Sequence, residues 1–223
     1  ADGDGYYGEY SGDNPDYISD VYLGRAGIDG VAHMSNFVYK TITYENSMQD
    51  PYHYNALMVG EQIDGQTWSK PALEIIRNQH FSKDPNFTVD TLYEYDQAWG
   101  PTEIIAEMNT DNYAVFNHLG HSNGGIVMQT HQDDFDAYLT NDNVFFAYSQ
   151  GCWPGYLGGG AVAEHLTTFT RHGAVAGMFN STFGWYYSGW SSGPSQDLNV
   201  QFWDALFGEG INQIGGMNAD SHT

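Results

Sequence analysis

The chain carries a single cysteine, Cys152, at a position that suits chemistry. An apolar run, Val144-Phe-Phe-Ala-Tyr-Ser, ends in Gln150-Gly-Cys152. A second run, Tyr113-Ala-Val-Phe116, leads into Asn117-His-Leu-Gly-His121-Ser. Each reads as a buried strand that delivers a reactive side chain at its C-terminal end. In open α/β sheets the binding crevice lies outside those ends. A thiol attacks only as the thiolate and needs a base or a positive neighbour to form it, so the pattern pairs Cys152 with His121. Gly151 permits close backbone approach, and N–H groups beyond the two strands are suited to holding an oxyanion. The bland reading is that Cys152 is a small buried hydrophobe, the commoner state of a free thiol.

Other groupings carry less. His118 and His121 are three apart, which on a strand or loop sends them to opposite sides. No further cysteine or histidine pair completes a zinc set. Asp2, Asp4, Glu9 and Asp13, with Asp16 behind them, surround glycine turns with the hard oxygens that Ca²⁺ takes, although the order is not that of an EF-hand. The bland reading there is a solvated acidic loop. The glycine-rich run from Phe183 to Gly193 places Trp185 and Trp190 after a strand, where they wall a pocket or pack together at the surface.

Composition narrows the classes. With 28 acidic against 6 basic residues and a formal charge of -22, the chain lacks the cations that phosphate backbones and anionic membranes require. Sixteen per cent aromatic residues and 27 glycines describe a packed, turn-rich protein rather than a disordered one. No apolar run is long enough to span a bilayer, so membrane insertion is not expected. The acidity points to a secreted or cell-surface protein.

The elements that must position these residues alternate. Val21 to Gly24 reads as a strand, then Gly30 to Glu45 as a helix with Val31, Met34, Val38 and Ile42 on one face. Ala56 to Gly60 is a strand apolar on both faces. Ser69 is placed to cap a helix through Phe81 that carries Pro71 in its first turn. Thr88 to Tyr95 alternates as a strand, and Thr102 to Met108 is a short helix. Ser122 to Asn143 reads as a long polar connection between the two key strands. Ala161 to His172 is helical, Ala174 to Phe179 a strand and Gln196 to Phe207 a helix. Continuous apolar strands between helices mean βαβ units: one α/β domain over residues 1–223, a three-layer α/β/α sandwich with a mainly parallel sheet.

Several of these motifs, in order, resemble the gingipain family of cysteine peptidases within the caspase-like superfamily. Asp20-Val-Tyr-Leu-Gly-Arg25 resembles a family strand ending in Gly-Arg, and Ala56-Leu-Met-Val-Gly-Glu61 its next strand, which ends in an acidic residue. Asn117-His-Leu-Gly-His121-Ser is similar to the family's Asn-x-x-Gly-His-Gly, Gln150-Gly-Cys152 to its small-residue-then-Cys element, and Gly173 to Thr182 to the strand before its specificity loop. The resemblance implies a caspase-like fold with Cys152 as nucleophile, His121 as proton donor and Glu61 supporting the histidine. It implies oxyanion donors at the N–H groups of Cys152 and Ser122. Trp185 or Trp190 would lie over the primary substrate pocket, and the acidic N-terminal segment would hold structural calcium, with no cofactor needed for catalysis. Partners would be protein or peptide substrates and the remaining segments of its own precursor, since the resemblance implies that the family's first βα units and its last helix and strand lie outside this sequence.

Two positions depart from the family: Ser122 stands for the usual glycine and Gly151 for the usual alanine. Asp64 and Lys70 both lie in the stretch expected to supply the pocket residue, with opposite implications for the side chain selected. The resemblance favours a cysteine endopeptidase. An inactive binding or structural protein of the same fold and a surface transpeptidase are the alternatives.

Overall fold

The computed structural model describes residues 21–222. Five parallel strands form the sheet: β1 (Asn55–Gly60), β2 (Thr88–Tyr93), β3 (Val115–Leu119), β7 (Phe145–Ser149) and β8 (Ala174–Phe179), in the order β2-β1-β3-β7-β8. Alternation along each central strand feeds two cores. Leu57, Val59, Phe145 and Ala147 enter one, with Ile104 of α3 (Pro101–Met108), Phe135 of α4 (Gln132–Tyr138) and Val162 of α5 (Val162–Glu164). Ala56, Met58, Phe146 and Tyr148 enter the other, with Leu73 and Ile76 of α2 (Lys70–Gln79), Phe202 and Trp203 of α6 (Pro194–Phe207) and Met217 of α7 (Ile214–Asp220). This is the expected α/β/α sandwich. Strands buried on both faces have to read as continuous apolar runs.

The chain runs from β1 outward to β2, then crosses back to β3 on the other side of β1. That reversal opens a crevice at the C-terminal ends of β1 and β3, where ligands bind in sheets of this kind.

Four expectations need correction. Val21 to Gly24 is not a strand: its side chains are largely exposed, and Tyr22 lies over Gly215 and Gly216 instead of pairing in the sheet. Ser69 makes no capping hydrogen bond. Its hydroxyl sits against Gly60, and α2 stops at Gln79. The segment after β3 is not a plain polar connection but a three-stranded antiparallel sheet, β4 (Ser122–Asn123), β5 (Ile126–Val127) and β6 (Thr130–His131), followed by α4. Its second turn is Met128-Gln129, with φ of 52° and 56°, the twist that a two-residue hairpin requires.

The fourth concerns α1 (Val31–Asn46). The face of Val31, Met34, Val38 and Ile42 is exposed, Val31 to 89%, and the opposite side does the packing. After α5 the chain continues as a π-helical turn, His165–Phe169, whose end leaves carbonyls without helical partners. Asn36 Nδ2 donates to Thr168 O and Phe169 O at 3.1 and 2.8 Å, and Lys40 Nζ to Leu166 O and His172 O at 2.9 and 3.0 Å. His33 stacks on Phe169. Orphaned carbonyls, not the apolar stripe, choose the face of α1 that turns inward.

Lys40 is buried, and burial lowers its pKa from 10.5 to about 7. A neutral amine has two N–H groups for its two carbonyl acceptors, whereas an ammonium has a third. Below about pH 7 both folded and unfolded chains hold the proton, and burying the ammonium costs most. Between about 7 and 10.5 only the unfolded chain keeps it, so Lys40 becomes less destabilising as pH rises. Wild-type protein should gain on Lys40→Met by at most about 1.4 kcal/mol per pH unit across that window. Urea unfolding at a series of pH values measures this, and a constant difference between the two proteins would refute it.

Candidate active site

Glu61, His121, Ser122 and Cys152 meet at the C-terminal edge of the sheet, each just past the end of a strand. Glu61 follows β1, and its N–H donates to Leu119 O at 3.1 Å, which holds the β1 and β3 ends together. The residue is 3% exposed, and Oε2 accepts the His121 N–H at 3.0 Å. Glu61 therefore meets His121 at its backbone N–H and not at its ring, and its other oxygen meets the His118 ring. Among the described residues the His121 ring has no hydrogen-bond partner, and it faces solvent. Gly120 makes this packing possible, because a Cβ there would run into the Glu61 carboxylate and the His118 ring.

Across from it, β7 ends in Ser149 and the chain turns through Gln150 and Gly151 to Cys152, which is half-buried. Every neighbouring N–H on this turn is used: Gln150 N donates to His118 O, Gly151 N to Ser149 Oγ and Trp153 N to Thr182 O. The N–H of Cys152 has no partner among the described residues, the condition an oxyanion donor needs. Cys152 Sγ has one long contact, 3.8 Å to Gly184 O. Trp153, immediately after, has φ 67°, a left-handed backbone that a non-glycine residue adopts at a cost of about 1–3 kcal/mol. Its ring is wedged between Tyr156 and Phe183. Asn180 Nδ2, beyond β8, bridges Gln150 O and Gly151 O at 3.0 Å each and fixes the turn from the far side.

Ser122 and Gly151, the two departures, touch. Ser122 Oγ donates to Cys152 O at 2.8 Å, and a Cβ at position 151 would collide with that hydroxyl and lie 2.6 Å from Ser122 Cβ. The hydroxymethyl group of Ser122 occupies the space that an alanine methyl would fill.

Two clefts border this edge. One, of about 510 Å³, is lined by Glu61, Asp64, Glu94, His121 and Gln129, among others. Asp64 accepts N–H bonds from Gln66 and Thr67 at 2.8 and 2.7 Å and the Tyr186 hydroxyl at 3.1 Å. The Gln66 N–H first, then the Ser188 hydroxyl, hold its carboxyl well below the usual range. The other cleft, of about 550 Å³, is walled by Trp68, Tyr95 and Trp190 and includes Lys70. Lys70 pairs with Asp96 at 2.6 Å and lies over the Tyr95 ring. Asp64 and Lys70 thus belong to different clefts, and each is engaged within its own. Trp190 lines this second cleft, which includes neither Cys152 nor His121. Trp185 is exposed and its backbone ties the loop to α6, its N–H donating to Ser195 Oγ and its carbonyl accepting the Ser195 N–H.

The acidic residues Asp2, Asp4, Glu9 and Asp13 lie outside the described residues. Among those described, no group of three or more His, Cys, Asp or Glu side chains could hold a metal, and no helix is long and apolar enough to cross a membrane. Sequence reasoning missed His118, Ser149 and Asn180, whose partners come from distant segments.

The fold is shared with known structures. The Arg-specific cysteine proteinase gingipain R superposes with a TM-score of 0.77 at 18% identity, over 92% of this chain and 50% of that one. A complex of the pro- and mature domains of RgpB from Porphyromonas gingivalis gives 0.73 at 18% identity with the same coverage. A structure described only as a protease gives 0.60 at 16% identity, over 93% and 54%. The chain therefore spans about half the length of these neighbours, and no curated protein sequence matches it. The family model of peptidase family C25 matches residues 2–223, nearly the whole sequence, and the chain belongs to that family.

Proposed function

We propose that the protein is a cysteine endopeptidase acting through Cys152 and His121. The observation that carries this reading is the turn after β7: a half-buried thiol whose own N–H is unpartnered, facing the His121 loop across the Ser122–Cys152 hydrogen bond. Family membership supports the same reading.

Cys152 Sγ attacks the scissile carbonyl, and the oxyanion that forms is received by the N–H of Cys152 and that of Ser122. His121 gives a proton to the departing amine, leaving a thioacyl-enzyme. The same imidazole then draws a proton from water, which attacks the thioester and releases the acid product. An exposed ring suits this part, since it has to turn between the leaving group and water. Trp190 and its cleft serve as a substrate subsite. Secretion or display at the cell surface fits the acid-rich composition, and proteins or peptides are the substrates.

Thiol reactivity tests the pair without knowledge of the substrate. Iodoacetamide at neutral pH should label Cys152 at least ~10-fold faster in the wild type than in His121→Ala. Equal, slow labelling of both proteins would turn the reading toward an inactive scaffold of the same fold.

A further inference from the structure

His118 falls at a variable position of the family segment and plays no part in the chemistry above, yet it is among the most deeply buried polar residues of the chain, at 0% exposure. It stands on β3 directly beside Ser149 of β7 in the sheet register. Its Nδ1 lies 2.9 Å from Ser149 Oγ and its Nε2 lies 2.8 Å from Glu61 Oε1. Ser149 Oγ in turn accepts the Gly151 N–H at 3.2 Å, and Glu61 Oε2 accepts the His121 N–H at 3.0 Å. The bonds form one unbroken path from the residue before Cys152 to the backbone of His121.

The donors and acceptors match without remainder. Gly151 N–H gives to Ser149 Oγ, which leaves that hydroxyl its own proton to give to Nδ1. The ring is then the Nε2–H tautomer and donates to Glu61 Oε1, while His121 N–H donates to Oε2. A carboxylate, which can only accept, ends the path from both sides. A fully satisfied buried network of this kind is rigid, and one missing member leaves its neighbours unpaired in a medium that penalises them. The arrangement has the order Ser–His–Glu of a hydrolytic triad, but its hydroxyl is sealed at 2% exposure and cannot reach a substrate.

We propose that His118 is a positioning residue: through Ser149 and Glu61 it sets the separation of the loops that carry Cys152 and His121. The proposal rests on those two residues being the reacting pair. Main-chain bonding between the two segments ends with Gln150 N to His118 O, one residue past the last register pair, and beyond it the loops are joined only through side chains, Ser122 Oγ on Cys152 O and the His118 path. Side chains must continue the connection beyond the sheet.

Ser149→Ala and His118→Gln, singly and together, test it in the intact protein, with amide hydrogen exchange and Cys152 alkylation as readouts. Ser149→Ala should speed exchange at the His121 amide by ~5-fold or more, although two side chains separate the sites, while Val59 in β1 keeps wild-type protection. Alkylation should fall ~10-fold in either single variant and no further in the double, since both cut one path. The proposal is overturned if only the Gly151 amide responds to Ser149→Ala, or if the two losses multiply. Ser149→Ala removes one buried oxygen and should fold even if His118→Gln does not. Should wild-type Cys152 prove slow and indifferent to His121→Ala, the peptidase reading falls, while the exchange arm still decides whether the path couples the loops.

Discussion

Cys152→Ala is expected to lower peptide hydrolysis by a factor on the order of 10⁴ or more, to the level that binding and oxyanion stabilisation alone sustain. The structure explains why the loss should be chemical and not structural. Cys152 is half-buried and its sulfur makes one weak contact, to Gly184 O, so the methyl of alanine leaves no large void and no orphaned partner. The turn that carries it is fixed by backbone and by Asn180, not by the thiol. Thermal unfolding within a few degrees of wild type, beside abolished hydrolysis of a denatured protein substrate, is the expected pair of results. Retained hydrolysis in purified Cys152→Ala would place the nucleophile elsewhere and remove the basis of the proposed mechanism.

Local pattern made the sheet readable and failed wherever a partner decides the outcome. β1, β3, β7 and β8 are short apolar runs that two cores require, and they were legible as such. Val21 to Gly24 is just as apolar, but a strand exists only when another strand pairs with it, and none does so among the described residues. The inward face of α1 was misread because its partners are bare carbonyls of a π-helical turn more than 120 residues away in sequence. The Met128-Gln129 hairpin was hidden because neither residue is a usual left-handed turn former. Met128 is held there by its fully buried side chain. At the site, Cys152 and His121 announced themselves by type and by their place after a strand. His118 was visible as a histidine, but its role depends on Glu61 and Ser149, which only the strand order β1-β3-β7 brings to its two nitrogens.

The two departures from the family, read separately, each cast doubt on the site; in the folded chain they are one exchange of volume, and this yields the second large effect. Gly151→Ala should reduce activity by roughly 10²-fold, the scale expected when reacting atoms are displaced by about 1 Å. The backbone at Gly151 lies outside the left-handed region, so alanine meets no conformational obstacle; its methyl runs into Ser122 and, less closely, Gly120 O. The hydroxyl could rotate away, but Ser122 Cβ, 2.6 Å from the added methyl, cannot, and the two loops must part. Parting them stretches the 2.8 Å bond from Ser122 Oγ to Cys152 O and moves the thiol relative to His121. Overpacking of this size costs about 1–3 kcal/mol of stability as well. Ser122→Gly alone should do less, opening a small void and freeing one carbonyl. Joined to Gly151→Ala, it restores the family's own pair of residues, with Gly120 O at 3.2 Å as the remaining close neighbour. The double variant should therefore recover to within about 10-fold of wild type, a coupling opposite in sign to two independent lesions. Measured kcat/KM of the four proteins decides it: a double variant no better than Gly151→Ala would show that Ser122 and Gly151 do not share one space, and that the Ser122 hydroxyl holds Cys152 in place by its hydrogen bond alone.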